Sequence, residues 1–303
     1  MDKNTRIGLT TTKAPFIEHA QSEGRIFIEQ PYHLYNEDNQ RAWRELYARL
    51  KPKWERFANK QFQQGIHSLC LNPDRIPTLE EVNTFLQQLT GFKAKAVSGY
   101  VPTFLFFDSL KQRAFPTTIT IRSSQSLNYL PEPDIFHDIA GHVPMHTDKM
   151  FADVLVKFGA LAEMAANRHT HLSNNEEKKA KIKSNIQALA RFFWFTIEFG
   201  LMREKKSLRV YGSGLLSSAD EIEHAILAQE VQRHRFQLEW VVNQSFEIDR
   251  FQPLLFIVDS FDHLYSEVER LEQWLLTGKL DTVAPGEPAI SEEDFQVFLR
   301  RGK

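Results

Sequence analysis

Pro131-Glu132-Pro133-Asp134-Ile135-Phe136-His137-Asp138-Ile139-Ala140-Gly141-His142-Val143-Pro144 holds the pattern on which the reading of this chain turns. Its two histidines are five residues apart. On a straight α-helix that spacing rotates them by about 140°, too far for one metal ion. Convergence therefore predicts that a helix opening at Pro133 ends near Gly141, with Pro144 enforcing the stop, so that His142 swings inward. Two nearby histidines are more often ordinary core or surface residues than ligands, and the pair needs a third group.

Phe192-Phe193-Trp194-Phe195-Thr196-Ile197-Glu198-Phe199-Gly200-Leu201-Met202 provides one, because Glu198 is the only ionisable residue in an otherwise apolar run. An unpaired buried carboxylate costs several kcal/mol, so Glu198 must be protonated, paired with a cation or bound to a metal. The plainer reading is a salt bridge to Arg191 or Arg203, but both lie at the edges of the run. Metal ligation is the favoured expectation. Two imidazoles and one carboxylate on one face leave about three coordination positions open, the arrangement of non-haem ferrous iron that activates dioxygen. Zinc is the competing metal, and a zinc hydrolase using the same ligands stays open. Such hydrolases favour His-Glu-x-x-His, whereas the order here is His137-Asp138-x-x-x-His142. His146 is a further candidate. His169 and His171 border the charged stretch from Asn174 to Lys183 and are expected in solvent.

The remainder of the chain narrows the function class. Lysine plus arginine number 37 against 39 aspartate plus glutamate, so no global field points to nucleic acid or an anionic membrane, and the expected partners are small molecules. The single cysteine, Cys70, permits neither an internal disulfide nor a thiolate metal cage and fits a reducing cytoplasm. No run reaches the roughly 18 apolar residues of a membrane span, and the opening residues lack the apolar core of an export signal. With 24 phenylalanines, aromatic packing should dominate the interior.

Periodicity predicts a mainly α fold with short β elements. The expected domain covers residues 31–278, with a loose arm at 1–30 and a partly ordered tail at 279–303. Trp43, Leu46, Leu50, Trp54 and Phe57 recur at helical spacing, predicting a helix from Asp38 to about Gln64 that Gly65 stops. Thr78 and Glu81 form a capping box, with Gly91 as C-cap. Helices are also expected from Pro102 to Leu110, Lys149 to Asn167 under an Asp148 cap, Glu176 to Met202, and through Val268, Leu271 and Leu275. Thr117–Arg122 alternates as a strand with Arg122 at its end; Leu208–Tyr211 and Leu254–Val258 read as β.

Three motifs in order, the histidine stretch, Phe-Trp-Phe-Thr-Ile-Glu-Phe-Gly-Leu and Tyr211-Gly212-Ser213-Gly214-Leu215-Leu216-Ser217-Ser218, resemble those of the aromatic amino acid hydroxylases. The resemblance runs from about Asp38 to Phe261 and is closest to the bacterial phenylalanine-hydroxylating members. It implies the catalytic-domain fold of that family, Fe(II), dioxygen and a tetrahydrobiopterin-type cosubstrate. Carried over residue by residue, it makes His137, His142 and Glu198 the iron ligands and Ser217 the group orienting His137. It puts Phe106 where the pterin ring stacks, with Val101 and Thr103 beside it and Asp138 reaching toward the pterin. Arg122 would clamp the substrate carboxylate, and Pro133, Trp194, Phe199 and Gly214 would wall the substrate ring. Read without the resemblance, Phe106 would be a core aromatic, Arg122 an exposed strand-end residue, and the last four core or turn.

Some positions depart from the animal pattern. Asp138 replaces a glutamate, Phe193 a tyrosine beside the iron, and Leu130 a threonine near the substrate's polar end. Trp194 resembles the phenylalanine and tyrosine enzymes more than the tryptophan ones, and Ile257 stands where tyrosine hydroxylases carry aspartate. L-Phenylalanine is the first choice of substrate, with tryptophan or another ring position as alternatives. The short flanks predict a monomer or weak dimer without substrate feedback. A helical binding protein with no chemistry is the reading from outside enzymology.

Overall fold

The structure is a computed structural model and describes residues 9–11, 13–128, 133–168 and 175–290. Helix α1 spans Pro15–Ser22. Helix α2 spans Glu37–Phe57 and opens on a reciprocal cap between Asn36 and Asn39; Trp43, Leu46, Leu50, Trp54 and Phe57 form its buried stripe. The helix expected to reach Gln64 breaks at Ala58, which is extended, and Asn59 starts α3, Lys60–Ser68, by accepting a hydrogen bond from the Phe62 N–H. Gly65 therefore does not stop a helix. It sits inside α3 where a Cβ would lie 2.0 Å from the carbonyl oxygen of Pro144. Glycine allows α3 to close on the backbone two residues beyond His142.

Helix α4, Leu79–Thr90, has the expected Thr78–Glu81 box, and Gly91 closes it at φ 77°. A β-α-β unit follows: β1 (Lys93–Val97), α5 (Thr103–Lys111) and β2 (Ala114–Thr118), with the two strands parallel. Strand pairing ends earlier than the alternation predicts. Beyond Thr118 the backbone turns to other partners, Ile121 N–H to Leu9 and Ile135 N–H to Thr120, so Arg122 lies in an extended loop and not at a strand end.

Helix α6 spans Lys149–Asn167 under its Asp148 cap. Helix α7 spans Asn175–Phe193, and the chain then widens into a π turn, Trp194–Glu198, and enters strand β3, Leu201–Glu204. The helix expected to Met202 instead ends in this π turn, and Gly200 just after it packs so closely that a Cβ would lie 2.2 Å from both the Thr196 carbonyl oxygen and the Tyr211 ring. Strands β4 (Ser207–Val210), β5 (Gln232–Arg235) and β6 (Leu254–Val258) complete a sheet of order β4-β3-β6-β5. Around it lie α8 (Ser213–Leu216), α9 (Ala219–Leu227), α10 (Leu238–Asn243) and α11 (Phe261–Leu276).

Aromatic rings fill the interior, with Trp54 edge-on to Phe62 and Phe158 meeting both Phe192 and Phe193. Within the stretch expected to be a loose arm, residues 1–30, the described residues Leu9, Ile17 and Ala20 are buried. The segment after Gly278 also packs as far as it is described. Leu280 is fully buried, and the buried Arg191 guanidinium donates to the carbonyls of Val242, Ala284, Gly286 and Glu287. Among the described residues no helix is long and apolar enough to cross a membrane.

Gly65→Ala is expected to lower the unfolding free energy by about 1–3 kcal/mol, the usual penalty for overpacking. Urea denaturation would read this as a lower midpoint at unchanged slope, and an unchanged midpoint would contradict the close approach to Pro144.

Candidate metal and cofactor site

His137 and His142 converge, but not by the end of a helix. His137–His142 is itself a π turn, closed by the Val143 N–H donating to the Asp138 carbonyl at 3.2 Å, five residues back. Such a turn holds about one more residue than the 3.6 of an α-helix, so residues five apart return to nearly the same side. Glu198 ends the second π turn, closed by the Phe199 N–H on the Trp194 carbonyl at 2.9 Å. The His137 and His142 Nε2 atoms are 3.1 Å apart, Glu198 Oε2 lies 3.7 Å from the first, and Glu198 Oε1 lies 3.1 Å from the second. Three donors at mutual right angles around an ion, each at about 2.1 Å, would be separated by about 3 Å. The triangle fits one divalent ion.

Protonation also suits a metal. Burial, reinforced by the neighbouring His142, pushes His137 down to about 4, leaving it neutral near pH 7. Burial alone would raise Glu198, but His142, by charge and hydrogen bond, outweighs it with help from His137 and Ser213 and holds the acid at about 2. Neutral imidazole and ionised carboxylate are the forms that bind metal. Ser217 Oγ donates to the Gly214 carbonyl and lies 2.8 Å from His137 Nδ1. A hydroxyl has one hydrogen to give, so His137 must donate from Nδ1, which leaves the Nε2 lone pair toward the other two heads. Ser213, to which the sequence reading assigned no role, places its Oγ 2.9 Å from His142 Nε2 and 3.2 Å from Glu198 Oε2.

Asp138 also comes within 4.8 Å of both imidazoles and forms an alternative triad with them. Its Oδ2 is already committed, accepting the Thr118 N–H at 2.6 Å, and burial pushes the acid up to about 7. Glu198 faces the cavity described below, and Asp138 does not line it. His146 is fully buried, with its ring among Phe92, Phe115 and Phe151, and neither ring nitrogen has a hydrogen-bond partner among the described residues. His169, His171 and Leu130 lie outside the described residues.

His137 and Glu198 open onto a cavity of about 490 Å³. Val101, Thr103 and Phe106 form part of its wall, and Pro133, Trp194, Phe199 and Gly214 another part. Arg122 and Ser217 line it too, so the predicted residues meet in one space, apart from His142 behind His137 and Asp138. Phe106 meets Phe107, Phe115 and Phe193 at 72°, 75° and 87°, and no described ring lies parallel to it. Trp194 is stacked on Phe246 at 4.1 Å. Ile257 pairs with Leu201 inside the sheet and does not line the cavity, so Trp194 alone carries the substrate argument.

Arg122 is 7 % exposed and its fork is occupied: Nε and Nη2 donate to Asp134 Oδ2 and Oδ1 at 2.7 and 3.1 Å. Nη1 makes longer contacts to the carbonyls of Leu127 and Asn128, at 3.5 and 3.3 Å. The donors on Nη1 and Nη2 are what it can offer a ligand. Burial would raise Asp134, but Arg122 overcomes this and holds its carboxyl below the usual range. Asp134 Oδ1 also accepts the His137 N–H at 2.9 Å, tying the guanidinium to the first π turn.

The sequence profile of the biopterin-dependent aromatic amino acid hydroxylases matches residues 23–277. The chain belongs to that family. Phenylalanine-4-hydroxylase of Chromobacterium violaceum is 34 % identical over 257 residues, 85 % of this chain and 81 % of that protein. The enzyme of the same name from Caulobacter vibrioides is 37 % identical over 237 residues, 78 % of this chain and 76 % of that protein. A crystal structure of the C. violaceum hydroxylase with bound iron(III) and 7,8-dihydrobiopterin superposes with a TM-score of 0.74 at 30 % identity, covering 88 % of this chain and 91 % of the other. The mainly helical hydroxylase fold and biopterin dependence come to this chain with the family; the C. violaceum structure holds iron, and the heads of His137, His142 and Glu198 lie together here at spacings suited to a divalent ion.

Two substitutions probe the geometry. Asp134→Ala leaves Arg122 buried without its counter-ion and is expected to cost about 3–5 kcal/mol of stability in chemical denaturation; a change below about 1 kcal/mol would show that the pair is not holding the loop. Ser217→Ala is expected to weaken iron binding about 10- to 100-fold in metal titration while the fold persists, and unaltered affinity would remove Ser217 from the ligand-orienting role.

Proposed function

We propose that this hydroxylase converts L-phenylalanine to L-tyrosine with dioxygen, non-haem Fe(II) held by His137, His142 and Glu198, and a tetrahydropterin. The observation that carries the reading is the triangle of three heads, 3.1 to 3.7 Å apart, at the wall of a cavity that also holds Phe106, Arg122 and Trp194. Fe(II) and the tetrahydropterin, when bound, supply the redox chemistry that activates dioxygen.

The chain's own contribution is placement. Phe106, with Val101 and Thr103, offers a flat apolar face for the pterin ring, and Asp138, whose Oδ2 accepts the Thr118 N–H, reaches the pterin from outside the cavity lining through a longer or water-bridged contact. Arg122, anchored by Asp134, presents to the amino acid carboxylate the Nη2 hydrogen that Asp134 leaves unused and, in exchange for its long contacts to the Leu127 and Asn128 carbonyls, Nη1. Pro133, Trp194, Phe199 and Gly214 hold the aromatic ring and keep bulk water away. A backbone approach explains Gly214: a Cβ there would meet the Phe199 ring at 2.7 Å. A reducing cytoplasm is the proposed compartment, supported by a composition whose one cysteine, Cys70, is exposed and free.

Product analysis decides the reading. Protein loaded with Fe(II) and given reduced pterin should make tyrosine from phenylalanine; no tyrosine, with ready hydroxylation of tryptophan, would overturn the substrate assignment. Glu198→Ala is expected to lose iron and turnover while keeping its circular dichroism. Retained iron in that variant would move the third ligand elsewhere, and zinc with hydrolytic activity in the wild type would favour the hydrolase reading.

A further inference from the structure

Packing is not all that holds Trp194. Its indole Nε1 donates to Gln252 Oε1 at 3.0 Å. The other end of that carboxamide is also engaged: Nε2 donates to the carbonyls of Glu247 and Arg250 at 2.8 and 3.1 Å. With both amide hydrogens used, the oxygen and not the nitrogen must face the indole. The backbone N–H of Gln252 in turn donates to Glu221 Oε1 at 2.9 Å. Gln252 is 3 % and Glu221 1 % exposed, and Glu221 Oε2 has no hydrogen-bond partner among the described residues.

These contacts form one chain from α9 to the cavity: Glu221 fixes the backbone of Gln252, Gln252 fixes the indole edge, and Phe246 stacks on the indole face at 5° to it. Rotating the indole would break the hydrogen bond and the stack together, leaving the amide oxygen and the indole N–H unpaired in a largely buried setting. A glutamate buried with a bare oxygen is otherwise unfavourable, and nothing in the proposed chemistry touches it. Its one visible service is as acceptor for Gln252.

We propose that Glu221 and Gln252 are positioning residues that pin Trp194 across the ring-binding end of the cavity and so limit the size of aromatic ring it accepts. The inference rests on the reading of Trp194 as a substrate wall. Gln252→Leu, or Gln252→Met should leucine not be accommodated, removes the acceptor for the indole; Glu221→Leu removes the acceptor for the Gln252 N–H, and Glu221→Gln keeps it.

In the iron-loaded enzyme, the Gln252 variant and Glu221→Leu are expected to raise KM for phenylalanine about three- to tenfold, the effect of about one net hydrogen bond. kcat should change less, more pterin should be oxidised per tyrosine formed, and the ratio of tryptophan to phenylalanine hydroxylation should rise. Glu221→Gln should restore wild-type behaviour, which a merely global loss of stability would not predict. Wild-type KM, coupling and ring preference in folded, iron-replete variants would overturn the inference, as would a Glu221→Gln protein as impaired as Glu221→Leu. Trp194 emission, obtained by subtracting the matched Trp194→Phe protein, tests the pinning apart from turnover. It should shift to the red and become more open to iodide quenching in Gln252→Leu and Glu221→Leu. Unchanged emission contradicts the pinning whatever the enzyme hydroxylates, whereas absence of tyrosine from the wild type with the emission shift present would instead remove the phenylalanine reading.

Discussion

Two π turns, far apart in the chain, must face each other for the site to exist. An α-helix would point His137 and His142 in different directions, and an uninterrupted α7 would carry Glu198 past the cavity. The extra residue in each turn corrects both, closing Val143 on Asp138 and Phe199 on Trp194. The regions around them enforce the register. Gly65 lets α3 press on Pro144, Gly200 allows the chain after the second turn to lie against Tyr211, and Gly212 allows α8 to approach the Glu198 backbone, its Cβ position being 2.5 Å from that carbonyl. Helix α8 then carries Ser213 and Ser217 to the two histidines.

Asp134 joins the metal end of the cavity to the polar end. One carboxylate accepts the Arg122 fork, the Arg122 N–H and the His137 N–H, so the guanidinium and the first histidine are positioned by the same group. A buried ion pair is weak support for stability taken alone. Here its satisfied hydrogen bonds give a geometric result, one carboxylate holding both the Arg122 guanidinium and the backbone of His137. The apolar wall between them, Trp194 with Phe199 and Phe246, then sets the shape of the space.

The sequence was most legible where local chemistry decides structure. The Thr78–Glu81 box, the Asp148 cap and the bounds of α6 emerge as expected, because caps and stripes depend on residues three and four apart. Glu198 stood out because a lone acid in an apolar run is physically conspicuous. The π turns were hidden, since residue order does not distinguish a widened turn from a continuing or ending helix. Alternation beyond Thr118 predicts Arg122 at a strand end, while the ladder stops when Ile121 bonds to the Leu9 carbonyl, an interaction no local pattern announces. Asp134, Ser213 and Gln252 are not marked as site residues by any local pattern for the same reason: each has a decisive partner 12 or more residues away, Arg122, His142 and Trp194 respectively. Asp134 sits inside the quoted histidine stretch, and the need of a buried arginine for a carboxylate could have singled it out.

The most direct test of the account is where iron sits. Anomalous diffraction at the iron edge from crystals of Fe(II)-loaded protein should show one peak within about 2.2 Å of His137 Nε2, His142 Nε2 and a Glu198 carboxylate oxygen, distances typical of such donors. A peak bound to Asp138 in place of Glu198, or away from either imidazole, would contradict it.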